Sequence, residues 1–189
     1  PSMLYLELPA LTPPPYRFVM LDWNPAGHEP PGVYDAPHFD FHFYTVPEEE
    51  VAAIMPGEPH FADQANDLPT GDYVPPFYTV LAPPGLTPAD VAVPMMGVHW
   101  IDVRSPELQG MLGNPGGYAP FTATFIYGSW AGRFTFLEPM ITLEHLLTHP
   151  DEVRPIPQPA LYPEAGWYPA AYRVRYDPQA REYRVALTE

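Results

Sequence analysis

The sequence predicts a mainly β protein, a small antiparallel barrel or sandwich with short helices and a C-terminal β-hairpin. Three observations carry that expectation. Short alternating apolar runs recur along the chain, separated by turn residues. Thirty prolines among 189 residues are too many for long helices, because proline lacks an amide donor and fixes φ. Hydrophobic residues make up 46%, enough to build a core.

The elements follow in chain order. MLYLEL (3–8) and YRFVMLDW (16–23) read as strands joined by the turn-rich LTPPP, and 24–37 reads as a loop. PHFDFHFYTV (37–46) is the clearest strand: Phe39, Phe41 and Phe43 alternate with His38, Asp40 and His42. Successive strand side chains point to opposite faces, so one face is aromatic core and the other is polar. PEEEVAAIM (47–55) has a proline at the first helical position and three glutamates in the first turn, both signals of a helix start. Residues 56–76 read as irregular.

FYTVLA (77–82) and VHWIDV (98–103) read as strands, with TPADVA (87–92) as a single turn capped by Thr87. FTATFIYGSW and GRFTFLEP form a hairpin around Ala131-Gly132. ITLEHLLTHP (141–150) reads as a short helix stopped by Pro150. A proline-rich tether (153–169) leads to the hairpin AYRVRY–DPQA–REYRVAL. The organisation expected is therefore a domain over 1–152 and a tether with hairpin over 153–189, packing on the same domain or on a neighbour. No internal repeat of solenoid length is visible.

Charge excludes several functions. The net charge is −15, and all eight basic residues are arginine, five of them at or beyond Arg154. No basic stripe exists to neutralise phosphates, so nucleic acid is not an expected partner. An anionic membrane surface is excluded on the same ground, and no run is apolar enough to span a bilayer. There is no cysteine, hence no disulfide, thiolate ligand or thiol chemistry. GxSxG, P-loop and GxGxxG patterns are absent.

Chemistry is left to the seven histidines. Residues four apart on a regular strand stand about 13 Å apart, and residues two apart about 7 Å. His38 and His42 therefore share an ion only if the strand bends after Pro37. Ligands from separate strands complete such sites in many barrels, and His99, at a strand start, and Glu138, at a hairpin strand end, are available. The expected metal set is His38, His42, His99 and Glu138, with Asp40 and the loop residue His28 as supporting groups that orient an imidazole. Copper is the expected ion, with zinc as the alternative; Met95 and Met96 nearby favour copper through their soft thioethers, or fill core. His145 and His149 are four apart on the expected helix, but Leu146 stands where a zincin-type motif needs glutamate, and histidine is common near helix C-termini.

The runs GHEPPGVYDAPHFDFHFY, PMMGVHWIDVRSPE and TFIYGSWAGRFTFLEPMIT resemble a family of bacterial envelope proteins with no assigned function. That resemblance implies an exported, β-rich, homo-oligomeric protein or part of a larger envelope assembly, located in the periplasm or at the cell surface after removal of a signal peptide. The start at Pro1 fits a processed end. A looser resemblance links the chain to copper superoxide dismutases, which also gather histidines on a β scaffold. Their His-x-His pair stands here as Asp40-x-His42 or His38-x-Asp40. It implies superoxide dismutation at a copper ion; the alternative is a non-enzymatic assembly component.

Overall fold

A computed structural model describes residues 2–189; Pro1, where the sequence pointed to a processed end, lies outside them. Ten strands form two antiparallel sheets. The larger has seven strands in the order β1-β2-β3-β7-β6-β5-β4: β1 (Ser2–Glu7), β2 (Phe18–Asn24), β3 (His38–Tyr44), β4 (Tyr78–Thr79), β5 (Val98–Asp102), β6 (Ala123–Trp130) and β7 (Arg133–Thr142). The smaller runs β10-β9-β8, from β8 (Asp151–Pro155), β9 (Ala171–Asp177) and β10 (Glu182–Thr188). The expectation of a mainly β fold holds. The seven-stranded sheet does not close, since β1 and β4 remain separate edges, and the sandwich form of the expectation is the one adopted.

Alternation in β3 decides the layering. Phe39, Phe41 and Phe43 face the main core with Val19, Leu137, Ile141, Phe125 and Tyr127. Tyr172 and Val174 from the smaller sheet, and Ile156 just past β8, enter the same core, so the C-terminal strands cover the Phe face. Burying each such side chain contributes about 1.5–3 kcal/mol. On the opposite face, loops rather than a sheet cover the polar residues. Val33, Tyr34, Leu108 and Phe121 lie over one end, and Val46, Val51, Met95 and Met96 over the other.

Some elements match the sequence reading and others differ. The hairpin turn at Ala131-Gly132 has φ of 48° and 77°, the paired positive values of the tight turn that suits strand twist. Three helices form: α1 (Glu48–Ala52), α2 (Phe61–Asn66) and α3 (Leu143–Leu146). α2 falls in the segment read as irregular; its Ala65 and Phe61 pack with Trp130 and Ile54 in a separate small core. The expected helix 141–150 shrinks to α3 because β7 continues through Thr142, whose hydroxyl then caps α3 by accepting from the His145 amide at 3.2 Å. The start of the expected tether is β8, paired with β9. At 87–92 the expected turn is a 3₁₀ helix closed by a Thr87–Asp90 capping box.

Candidate functional site

The polar face of β3 is assembled by register. β2 places Asn24 opposite His38, Asp22 opposite Asp40 and Met20 opposite His42. On the other side β7 places Met140 opposite Asp40, and the same register sets Glu138 opposite His42. His99 comes from β5, opposite Gly128 of β6, which is in turn opposite Phe136 of β7. A Cβ at Gly128 would collide with the Phe136 ring, so glycine here lets that ring lie across the strand. His99 packs edge-on to the ring, centroids 5.5 Å apart, and its Nε2 reaches to 3.8 Å from Glu138 Oε2.

Two triads result, each with ligating atoms mutually within 4.8 Å: His42, His99 and Glu138, and His28, His38 and Asp40. Three of the four expected ligands therefore meet. His38 does not join them. The strand stays regular after Pro37, so the four-residue separation from His42 holds and His38 pairs with Asp40 instead. Asp40 and His28, placed by the sequence as supporting groups, stand beside His38 with their own ligating atoms. His145 and His149 belong to neither triad. His145 Nε2 pairs with Glu152 at 2.8 Å, and His149, past the end of α3, stacks on Tyr176 with centroids 3.9 Å apart.

The His28 position was the least legible from sequence. The loop 25–37 folds on itself: the His28 amide donates to the Tyr34 carbonyl at 3.1 Å and the Gly32 amide to Asp35 Oδ2 at 2.7 Å. Gly27 has φ +72°, and a Cβ there would collide with the Tyr34 carbonyl and Asp35 backbone. This closure carries His28 over His38, ring centroids 4.7 Å apart.

Tautomers follow from the backbone. His28 Nδ1 lies 2.7 Å from the Glu29 carbonyl, His38 Nδ1 2.6 Å from Ala36, and His42 Nδ1 3.2 Å from Met20. A carbonyl only accepts, so each Nδ1 carries the hydrogen and each neutral ring turns an Nε2 lone pair inward. Those lone pairs face carboxylate oxygens: His38 Nε2 is 3.2 Å from Asp40 Oδ1, His28 Nε2 3.3 Å from Asp40 Oδ2, and His42 Nε2 3.4 Å from Glu138 Oε1. His38 Nε2, Asp40 Oδ1, His42 Nε2 and Glu138 Oε2 are buried and make no hydrogen bond. Acceptor facing acceptor in a buried site is unfavourable unless a cation or a proton lies between. Ligand atoms about 2.0–2.1 Å from a tetrahedral ion stand about 3.3–3.4 Å from one another. The contacts of His28, His38 and His42 lie near that spacing, while His99 Nε2 stands farther, at 3.8 Å from Glu138 Oε2.

Electrostatics agree with neutral imidazoles in the first triad. Burial pushes His42 down to about 4, and burial with the His42 and His28 charges pushes His99 down to about 3. Burial, then the charges of Asp40 and Asp22, hold Glu138 well above the usual carboxylate range. In the metal-free protein Asp40 goes the other way: burial opposes its charge, but His28 and His38, when protonated at Nε2 and donating to it, hold it below the usual range. The Asn24 amide donates to Asp40 Oδ2 at 2.7 Å and fixes that carboxylate.

The molecule defined so far is a β-sandwich carrying two His-His-carboxylate groups that could hold metal ions on one sheet face. The chain matches no protein-family model, no curated protein and no solved structure. Among the described residues no helix is long and apolar enough to cross a membrane.

Proposed function

We propose that the protein is a metalloprotein whose working centre is His42, His99 and Glu138, holding a first-row transition ion. The observation that carries this reading is the buried His42 Nε2, whose lone pair is turned toward Glu138 by the backbone bond on Nδ1. Two imidazoles and one carboxylate leave coordination positions for a small molecule, as in mononuclear redox and hydrolytic centres. His99 supplies the approach. Its side chain is 24% exposed, against 1% for His42 and Glu138.

The enzymatic form of the proposal is copper-dependent dismutation of superoxide by an exported protein of the cell envelope, with zinc as the alternative ion. Its weakness is electrostatic. The net charge is −15, and the two arginines that could steer an anion, Arg104 and Arg133, are already paired. Arg104 binds Asp102 at 2.6 Å and covers Phe77; Arg133 binds Glu50 at 2.6 Å. Met95 and Met96 pack beside the apolar cluster of Phe18, Met20, Tyr44 and Phe136, which fits a filling role as well as a thioether one. The non-enzymatic form is an oligomeric envelope component in which the same ion is structural, a reading favoured by the near-complete burial of His42 and Glu138.

Elemental analysis of protein purified without added metal tests the shared proposal, with His42→Ala and His99→Ala as controls. Metal lost from both variants supports it; equal metal in all three proteins removes it. Superoxide turnover by the copper-loaded protein then decides between the two forms.

A further inference from the structure

We infer that the His28, His38 and Asp40 triad is a second metal site, so that one chain holds two divalent transition ions on the polar face of β3. The two sites share no ligand.

Four observations support the second ion independently of the first. The His38 side chain is fully buried, with its Nδ1 hydrogen given to the Ala36 carbonyl and Nε2 left unpartnered 3.2 Å from the equally unpartnered Asp40 Oδ1. His28 is oriented alike, Nδ1 toward its own neighbour's carbonyl and Nε2 3.3 Å from Asp40 Oδ2, the oxygen that also accepts from Asn24. Asp22 lies directly opposite Asp40 in the β2–β3 register, and both carboxylates are buried at 3% exposure. Like charges directly opposite on one sheet face repel, and Asp22 Oδ1 also has no hydrogen-bond partner. A divalent cation beside Asp40 offsets that repulsion. Finally, the site is caged and oriented: the Phe121 ring stands edge-on to His38 at 5.2 Å and the Tyr34 ring edge-on to His28 at 5.7 Å, while Asn24 fixes Asp40.

Neutral imidazoles with one carboxylate suit zinc, cobalt(II), iron(II) and manganese(II) in four- or five-coordinate geometry. Entry is from the loop side. The His28 side chain is 38% exposed, whereas His38 is closed off, so His28 is the ligand an arriving ion meets first.

The test is a titration of chelator-treated full-length protein with cobalt(II) chloride, followed by its visible absorption and by metal analysis after desalting. Wild type is expected to bind two equivalents. His28→Ala and the size-preserving Asp40→Asn are each expected to bind one, His99→Ala one, and the His28→Ala/His99→Ala double variant none. His28 sits on an exposed loop, so its variant retains the fold; unchanged circular dichroism checks this. One equivalent in wild type, lost in His99→Ala and kept in His28→Ala, overturns the second site and leaves the first standing. One equivalent lost in His28→Ala but kept in His99→Ala upholds the second site and overturns the first.

Discussion

His42 and Glu138 face each other across β3 and β7 with 3.4 Å between Nε2 and Oε1, both fully buried, and the ring orientation leaves no hydrogen on the nitrogen between them. This single relationship links strand register to chemistry. An empty contact of this kind is costly, and an ion or a proton relieves it.

Glu138→Gln separates those two remedies. In the metal-free protein the Glu138 pKa is raised above its ordinary 4.5, by burial first and by the Asp40 and Asp22 charges next. Its contribution to stability is therefore fully present below pH 4.5 and lost as pH rises through the folded value. Metal-free Glu138→Gln is expected to gain stability relative to wild type between pH 5 and pH 8, read from urea unfolding at both. Added zinc is expected to reverse the order at pH 8, because binding at His42, His99 and Glu138 stabilises only the protein that keeps the carboxylate, whereas binding at His28, His38 and Asp40 stabilises both alike.

Asn24→Ala tests the support behind the second triad. It removes the 2.7 Å hydrogen bond that holds Asp40. Loss of such a supporting bond lowers metal affinity by about 10–100-fold. Cobalt titration is expected to show one weakened equivalent, with the equivalent at His42, His99 and Glu138 unchanged.

Gly27→Ala tests the loop. The added methyl collides with the Tyr34 carbonyl at a backbone φ of +72°. Strain of this kind costs about 1–3 kcal/mol when the structure holds the conformation. The expected result is a lower midpoint in urea and loss of the equivalent that needs His28, with His42 and His99 still loaded.

Gly128→Ala should be the more damaging glycine substitution, since the methyl meets the Phe136 ring within the buried sheet. Overpacking of a tight core costs about 1–3 kcal/mol, occasionally more. The ring is packed against His42, His99 and Tyr44, so thermal unfolding and metal content are both expected to fall.

Val174→Ala asks whether the C-terminal sheet belongs to the main cooperative unit. Val174 is fully buried in the core that also contains Phe43, Tyr127 and Leu137. Removing its two methyl groups is expected to cost about 1.5–3 kcal/mol in one shared transition. Fluorescence and circular dichroism should then unfold together; two separate transitions would show a sheet that folds apart from the larger one.

Much of this architecture is legible in the linear chain, and the reason is periodicity. The alternation of PHFDFHFY specifies a strand with phenylalanine toward the core and His38, Asp40 and His42 on the other face, because side chains in β structure alternate with period two. The same rule forbids His38 and His42 from sharing one ion on a regular strand, and the two fall in separate triads. Local chemistry also marks the Ala131-Gly132 turn and the Thr87 cap. Helix α2 and strand β8 carried no comparable signal, since both are short and depend on partners distant in sequence: Trp130 for α2 and β9 for β8.

The partition of the histidines was decided by tertiary structure. Register between β3 and β7 selects Glu138 for His42, and a side-chain-free position at Gly128 lets Phe136 lie across β6 beside His99. His28 reaches His38 through a loop whose path has no period to read, only the close approach at Gly27. Strand periodicity sets which face a residue occupies; which residues meet on that face depends on pairings and loop closures that join positions up to a hundred residues apart.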